Sequence, residues 1–252
     1  MIPNPWDVGS ARLLVQLGFP ALATTSSGFA WSLGRPDNGV TLDEALKHFT
    51  VLAASVNVPV SADFERGFAL AAAEVAENVA RLVNTGIAGF SIEDASDDPA
   101  APLIDAGLAV ERIRAARHAV DQSGTGVLLT ARSEGFIAGR PDLAETIRRL
   151  TAFAEAGADC LYAPGLRTME EITEVVRVVA PRPVNVLAGN DRFTVAELAA
   201  AGVRRISVGG ALARAAWTGV LNSAREIAEH GAFGGFRGTV QYADMNRLFE
   251  AD

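Results

Sequence analysis

One plan recurs four times along this chain and constrains its fold more than any other feature. A helical pattern ends at a glycine, a short link follows, and a strand-length apolar run comes next, as in LGFPALATT, TGIAGFSIED, AGADCLYAPG and AGVRRISVGG. Glycine suits the position just past a helix because it adopts positive φ at little cost. The runs are apolar on both faces, as buried parallel strands are. The plan therefore predicts helices alternating with parallel strands.

Counting all such runs predicts eight strands. Three further runs, VPVSAD, GVLLTAR and PVNVLAG, fit the same position in the plan, and residues 1–4 are counted as the eighth strand. The predicted strands cover about 1–4, 21–25, 58–63, 89–93, 127–132, 160–163, 184–188 and 205–208. Eight strands alternating with helices in 252 residues are typical of a (β/α)8 TIM barrel, an α/β fold. A doubly wound open sheet is the alternative, but no G-x-G-x-x-G motif opens a helix after the first strand.

Helix signals fill the segments between these runs. Helical spacing of apolar residues covers 68–85, 107–122 and 141–156. A capping box, in which a hydroxyl and a carboxylate satisfy free backbone donors, begins three more helices, at Thr41 with Glu44, Thr168 with Glu171, and Thr194 with Glu197. We see no linker and expect one domain over 1–252, in which the glycine-broken segment 231–252 forms a C-terminal extension.

Charge and composition exclude several classes of function. The net charge of -8 argues against nucleic-acid binding, because a surface that neutralises phosphates is basic. No uninterrupted apolar stretch reaches the roughly 18 residues that a membrane span needs. The N-terminus lacks a signal-peptide pattern. Cys160 is the single cysteine, so no intrachain disulfide can form, and we expect a cytoplasmic protein.

Polar residues close several of the predicted strands, where the active site of a TIM barrel lies. Asp63 and Glu65 follow the third predicted strand, and Glu93 and Arg132 end the next two. If the extended geometry persists, a spacing of two places Asp63 and Glu65 on one side of the strand. Carboxylate oxygens suit Mg²⁺, and arginine can clamp a carboxylate with two parallel hydrogen bonds. Asn185 faces the same mouth and is a candidate substrate-binding residue.

Structural interpretations of the same residues stay open. The three acids can instead form a salt-bridge ring with Arg66 and Arg132. The pair Gly209–Gly210 before a helix is either a phosphate site or a tight turn.

The backbone amides of Ser27, Gly28 and Phe29 can hold an anionic oxygen, since glycine permits close approach.

Taken in order, these segments resemble the isocitrate lyase/phosphoenolpyruvate mutase superfamily. The resemblance spans roughly 2–220 and rests on PNPWDVGSARLL, GFPALATTSSGFAWSLGRPD, VPVSADFERG, GFSIEDA, LLTARSEGF, AGADCLYAPGL, PVNVLAG and LAAAGVRRISVGGAL. It implies a (β/α)8 barrel that exchanges its last helix between the subunits of a homodimer or homotetramer. It also implies Mg²⁺ as cofactor, a 2-oxo acid as ligand, and the making or breaking of C–C or C–P bonds beside the oxo group.

The resemblance also implies roles for individual residues. Asp63 resembles the metal-ligating aspartate of a D-x-D motif, Glu65 stands at the second acid of that motif, and Glu93 matches a glutamate of the metal shell. Arg132 and Asp37 match residues at the reacting centre, and Arg132 also matches the residue that binds the substrate carboxylate. Ser27, Gly28 and Phe29 match an S-G-L stretch whose amides hold substrate oxygens.

Two departures from the family pattern bear on the reaction. Glu65 replaces an aspartate. The loop EDASDDPAAPLID lacks the K-K-C-G-H motif of isocitrate and methylisocitrate lyases, and also the lysine and asparagine of C–P enzymes. We therefore expect a Mg²⁺-dependent lyase or decarboxylase that acts on a small 2-oxo or 2-hydroxy di-acid, such as oxaloacetate, through a metal-bound enolate. The alternatives are cleavage of a substituted malate or citrate, a phosphonopyruvate- or phosphoenolpyruvate-type C–P enzyme, and a 2-oxo acid binding protein with little turnover.

Overall fold

The structure is a computed structural model that describes residues 1–250. Its sheet is parallel throughout, and its strands neighbour one another in chain order. Within the described residues there are seven: β1 Leu22–Ala23, β2 Val60–Asp63, β3 Gly89–Glu93, β4 Leu128–Arg132, β5 Cys160–Tyr162, β6 Val184–Leu187 and β7 Arg205–Ser207. Helices connect successive strands on the outside, so the predicted TIM-barrel architecture is confirmed.

The predicted strand at 1–4 is replaced by an extended segment that joins the two edges of the sheet. The Ile2 amide donates to Ile206 O of β7 at 2.8 Å, and the Ala23 amide of β1 donates to Pro3 O at 3.1 Å. Proline at positions 3 and 5 supplies no N–H group, so this segment cannot continue a regular ladder. The barrel is thus nearly closed by seven strands and one irregular segment.

Ten α-helices occur in the described part of the chain. They are α1 Val8–Gln16, α2 Ser26–Ser32, α3 Leu42–Ser55, α4 Ala72–Leu82, α5 Ala106–Ser123, α6 Leu143–Glu155, α7 Met169–Val179, α8 Val195–Ala200, α9 Ala211–His230 and α10 Tyr242–Arg247, with 3-10 turns at Val83–Thr85 and Gly234–Phe236. All three predicted capping boxes form. The helix predicted over 68–85 begins only at Ala72, because Gly67 and Phe68 have positive φ.

The two faces of the strands differ in chemistry. Outward-facing Phe64 and Phe90 are fully buried against the helices, with their ring centroids 6.1 Å apart. The residues that line the inside of the barrel are largely polar and include Ser61, Ser91, Thr130, Asn185, Arg205 and Ser207. The apolar core therefore lies between sheet and helices, and it leaves a polar interior for a site.

Helix α9 and the segment after it are mostly exposed. Ala213 is the one buried residue of α9. The predicted extension 231–252 contains the second 3-10 turn and α10, and its last two residues lie outside the described ones. No described helix is long and apolar enough to cross a membrane.

Candidate active site

Arg132 is the centre of a buried charge cluster at the carboxyl end of β4. Its Nη1 lies 2.8 Å from Asp63 Oδ1, its Nη2 lies 3.1 Å from Glu93 Oε2, and its Nε lies 2.9 Å from Glu134 Oε1. Its guanidinium carbon lies 5.1 Å from the centre of the Tyr162 ring. The structure thus brings together three of the residues predicted from strand ends, Asp63, Glu93 and Arg132, and it pairs every guanidinium nitrogen of Arg132 with a carboxylate.

Asp63 is held from two sides. The Ser26 amide at the start of α2 donates to Asp63 Oδ2 at 3.1 Å, and Ser91 Oγ on β3 donates to Asp63 Oδ1 at 3.4 Å. The Asp63 amide itself donates to Thr24 Oγ1 at 2.8 Å. The carboxylate therefore has a fixed orientation at the mouth of the barrel.

Glu65 departs from the predicted extended geometry. Strand β2 ends at Asp63, the Gly67 amide donates to Phe64 O at 2.8 Å, and Glu65 has φ +47°. The premise that a strand period of two places Asp63 and Glu65 side by side is therefore wrong. Glu65 is nevertheless buried, and burial together with the charges of Asp63 and Asp37 raises its pKa to about 7.

Glu134 belongs to the cluster, although it is not among the site residues predicted from the sequence. It follows Arg132 by two positions and is 3% exposed, and its amide donates to Asp94 Oδ1 at 2.8 Å. Asp94 in turn pairs with Arg149 at 3.1 Å. The sequence signal for Glu134 was its spacing of two from Arg132 at the end of a predicted strand, which matches the spacing of Glu65 from Asp63.

Three carboxyl groups surround the single guanidinium of Arg132. Burial raises the pKa of Glu93 and of Glu134 and outweighs the opposing effect of Arg132. Burial by itself lowers the pKa of Arg132, but the three carboxylates together raise it well above its usual value. Partial burial raises the pKa of Asp37 as well, although this residue is exposed at the rim and screening by water limits the rise. Burial therefore favours the protonated forms of Glu93 and Glu134, and a single guanidinium faces three carboxyl groups.

A cavity of about 160 Å³ opens beside the cluster, inside the barrel mouth. Of the predicted site residues, Asp63, Arg132, Asp37, Ser27 and Asn185 line it, whereas Glu65, Glu93, Gly28 and Phe29 do not. Its wall also includes Tyr162, Arg205 and Ser207. The cavity therefore presents hydroxyl, amide, guanidinium and carboxylate groups to a ligand.

The predicted amide site at 27–29 is partly used within helix α2. The Gly28 amide donates to Thr25 Oγ1 at 3.3 Å and the Phe29 amide donates to Thr25 O at 3.1 Å. The Phe29 ring stacks on His48 with a centroid separation of 3.7 Å. In this arrangement, the Gly28 and Phe29 amides are engaged inside the helix rather than free for an anion.

The glycine pair before α9 forms a turn held by Asn4. Asn4 Oδ1 accepts from the Val208 amide at 2.8 Å and from the Gly209 amide at 2.9 Å, while Asn4 Nδ2 donates to Thr24 O. Gly209 has φ +52°. The contacts support the tight-turn interpretation, because the Gly209 amide already has a partner.

Comparison with known proteins places the chain in a family. A family model described as phosphoenolpyruvate phosphomutase matches residues 1–228. The chain belongs to the isocitrate lyase/phosphoenolpyruvate mutase superfamily. Membership identifies it as an enzyme of the carbon–carbon lyase and mutase group without specifying the reaction.

Three relatives illustrate the range of this superfamily. The structure of a candidate lyase/mutase from Burkholderia cenocepacia J2315 is 47% identical, with a TM-score of 0.96 over 99% of this chain and 91% of that one. That of 2,3-dimethylmalate lyase is 26% identical, with a TM-score of 0.87 over 99% and 88%. Oxaloacetate decarboxylase 2 of Pseudomonas fluorescens Pf0-1 is 28% identical over 82% of this chain and 72% of its own.

The loop that carries the lyase motif in some members of the superfamily is a small acidic hairpin here. Ala95 and Leu103 form an antiparallel bridge, and the Ser96 amide donates to Pro102 O at 2.9 Å. Asp97 on this loop forms an ion pair with Arg66, beside a second cavity of about 500 Å³ that Glu65 also lines. The loop presents carboxylates but no thiol, amine or imidazole to the mouth.

The site fits a divalent cation in chemistry and in charge. Among residues 1–250, no three His, Cys, Asp or Glu side chains are arranged to hold a metal ion as they stand. The Arg132 guanidinium lies among Asp63, Glu93 and Glu134 instead. The donors are nevertheless hard oxygens, and three carboxyl groups converge there on one guanidinium, which is a donor set that suits Mg²⁺. A cation bound to Asp63 and Glu93 would also release Arg132 nitrogens for a substrate.

Proposed function

We propose that this enzyme is a Mg²⁺-dependent lyase or decarboxylase that acts on a small 2-oxo or 2-hydroxy di-acid, with oxaloacetate as the first candidate. The observation that carries the proposal is the acid-rich cluster around Arg132, which adjoins a polar cavity of about 160 Å³. The cavity size therefore favours a compact substrate.

Individual residues would have separate roles in metal binding and substrate binding. Asp63 and Glu93, with Glu65 as a further donor, would hold the metal, which when bound supplies Lewis-acid polarisation of the 2-oxo group. Arg132, released from these acids, would orient a substrate carboxylate through two parallel hydrogen bonds. Ser27 and Asn185 would complete the binding of the substrate at the cavity wall.

Decarboxylation suits the acidic hairpin loop. Loss of CO₂ from a 3-carboxylate leaves an enolate, and no acid is needed to create the leaving group. Cleavage of a larger substrate such as a substituted malate needs a proton for the departing fragment, and the loop from Glu93 to Asp105 offers no thiol, amine or imidazole for this purpose. Asp37 at the cavity rim, whose pKa is raised by burial, would exchange the proton that converts the enolate into pyruvate.

The experiment compares pyruvate formation from oxaloacetate by the wild-type enzyme, Asp63→Asn, and the exposed control Asp191→Asn. We expect release above the free-Mg²⁺ background, a loss of kcat/KM of about 1000-fold or more in Asp63→Asn, and no change in the control. A wild-type rate equal to the background would overturn the decarboxylase proposal. Binding without turnover on oxaloacetate and on substituted malates would favour a binding protein.

A C–P reaction is the second candidate, and the match to the phosphoenolpyruvate phosphomutase family model is the observation that favours it. The acidic loop disfavours it, because Asp97 and Asp98 would repel a phosphonate dianion. Phosphonopyruvate is therefore included among the substrates. Release of phosphate or phosphoenolpyruvate from it, faster than pyruvate from oxaloacetate, would reverse the ranking of the two proposals.

We also propose that helix α9 mediates homodimer or homotetramer formation by exchange between subunits. Its exposed Trp217, Val220 and Leu221 lie on one side of the helix at helical spacing, with Ala213 and Ile227 on the same side. Light scattering should give a dimer or tetramer for the wild type and for the opposite-face control Asn222→Glu, and a smaller species for Trp217→Glu. A monomeric wild type would contradict this proposal.

A further inference from the structure

Arg205 enters the barrel from β7 and is the second arginine at the cavity. Its Nη1 donates to Thr130 Oγ1 at 2.8 Å and its Nη2 donates to Ser61 Oγ at 3.2 Å. These hydroxyls lie on β4 and β2, so the side chain crosses the interior of the barrel below the cluster of Arg132. Arg205 also lines the cavity wall. It is therefore within reach of a molecule that enters from the mouth.

The positive charge of Arg205 lacks a carboxylate partner. No carboxylate in the described part of the chain lies within ion-pair distance of it, and its buried Nε donates to no acceptor. The nearby Cys160 thiol is neutral, because burial raises its pKa. Arginine has five N–H donors and stays protonated in proteins. A largely buried guanidinium that contacts only hydroxyls is costly unless an anion completes the site.

Asn185 provides a second unfilled position beside Arg205. It is paired with Arg205 in the register of β6 and β7, and it is 1% exposed. Its Nδ2 donates to Ser207 Oγ at 2.9 Å, whereas its Oδ1 has no hydrogen-bond partner although both residues line the cavity. Buried polar atoms are usually paired. The unpaired amide oxygen is an acceptor and suits a hydroxyl group of a ligand, whereas the free Nε–H group of the neighbouring guanidinium suits an anionic oxygen.

We propose that Arg205 binds the second carboxylate of the substrate and so selects di-acids over mono-acids. The inference rests on the proposed function, in which Arg132 and the metal site take the first carboxylate and the adjoining oxygen. Arg205 contacts Thr130, two residues before Arg132 on β4, so the two guanidinium groups lie at successive levels of one cavity. A short di-acid can contact both levels. A mono-acid of the same length would leave Arg205 without a counter-charge.

A matched pair of stable ligands tests this role without turnover. Malate and 2-hydroxybutanoate have four carbons each and differ by one carboxylate in place of a methyl group. We would measure the Kd of both by calorimetry with Mg²⁺ for the wild type, Arg205→Met, Arg205→Lys and Arg204→Met. Arg204 is the adjacent, exposed arginine, so its substitution makes the same chemical change outside the barrel.

The expected result is a change in selectivity. Truncation of one partner in a buried charge pair should weaken malate binding by about 100-fold in Arg205→Met and by about 10-fold in Arg205→Lys. Binding of 2-hydroxybutanoate should change by less than about 3-fold in both, and Arg204→Met should match the wild type. If Arg205→Met fails to fold, Arg205→Lys carries the test.

Two results would overturn the inference. One is an unchanged ratio of malate to 2-hydroxybutanoate affinity in the Arg205 variants, which includes equal loss of both ligands, as a structural role would give. The other is a wild-type protein that binds neither ligand. The two proposals fail separately: oxaloacetate turnover with unchanged selectivity in Arg205→Met removes only the role of Arg205. Selective malate binding through Arg205 without turnover removes only the proposed reaction.

Discussion

Two buried arginines meet the same cavity, and their surroundings are opposite. Arg132 at the mouth pairs each guanidinium nitrogen with a carboxylate, from Asp63, Glu93 and Glu134. Arg205 below it contacts only the hydroxyls of Thr130 and Ser61. The first region has three carboxyl groups around one guanidinium, and the second has a guanidinium without a carboxylate.

This contrast indicates which ligand group each region of the cavity can bind. The mouth suits a cation, since the oxygens of three carboxyl groups converge there on a single guanidinium. The inner part of the cavity around Arg205, its floor, requires an anion, because the Arg205 guanidinium has no carboxylate partner. A metal ion and a small di-acid satisfy both needs together, and neither region alone specifies that combination.

The largest expected effect on stability follows substitution at the mouth. Arg132→Met leaves three buried carboxylates without their common partner, which should lower the free energy of unfolding by about 3–5 kcal/mol. Denaturant unfolding of the Mg²⁺-free protein measures the difference. A loss below about 1 kcal/mol would show that the ion pairs of Arg132 do not hold the mouth together.

An intermediate effect on stability comes from the titration of Glu65 as the pH changes. Because its folded-state pKa is about 7 and its ordinary value is 4.5, the folded state binds the proton more tightly than the unfolded state. The stability that Glu65 contributes is therefore present below pH 4.5 and is lost as pH rises toward 7, by at most ~3 kcal/mol.

Chelator-treated protein, unfolded at several pH values between 4.5 and 7, provides the measurement. Glu65→Gln should remove this part of the pH dependence, while Glu77→Gln on the exposed side of α4 should keep it. Equal pH profiles for the wild type and Glu65→Gln would contradict the assignment of the raised pKa to Glu65.

The smallest expected effect follows substitution at the floor. Arg205→Met removes a buried charge that has no acid partner, so its cost should stay within about 1 kcal/mol and the sign can be stabilising. The comparison with Arg132→Met, measured by the same unfolding experiment, sharpens the contrast between the two arginines. A loss of about 3 kcal/mol or more at Arg205 would mean that the barrel needs this residue for folding rather than for binding.

Much of the fold could be predicted because its signals are local. Gly86 and Gly202 end their helical segments with positive φ, and Thr168 caps α7 as its sequence indicates. The polar residues at strand ends also followed from the rule that parallel strands share one edge, which placed Asp63, Glu93 and Arg132 together.

The remainder depends on contacts that the sequence does not encode locally. Residues 1–4 read as a strand, but Pro3 interrupts the ladder and only the closed sheet shows how the segment joins both edges. The predicted position of Glu65 assumed that extended geometry continues through it, whereas strand β2 ends at Asp63. Arg205 looked like an ordinary strand residue, because its lack of a carboxylate depends on the other strands that face it across the barrel.

The most direct test of the account is a crystal structure of the protein soaked with Mg²⁺ and oxalate, a stable di-acid analogue of an enolate. We expect the metal at Asp63 and Glu93, with Glu65 in its surroundings, and Arg132 turned from these acids to an oxalate carboxylate. A metal bound away from this mouth, or oxalate bound while the three ion pairs of Arg132 stay intact, would contradict it.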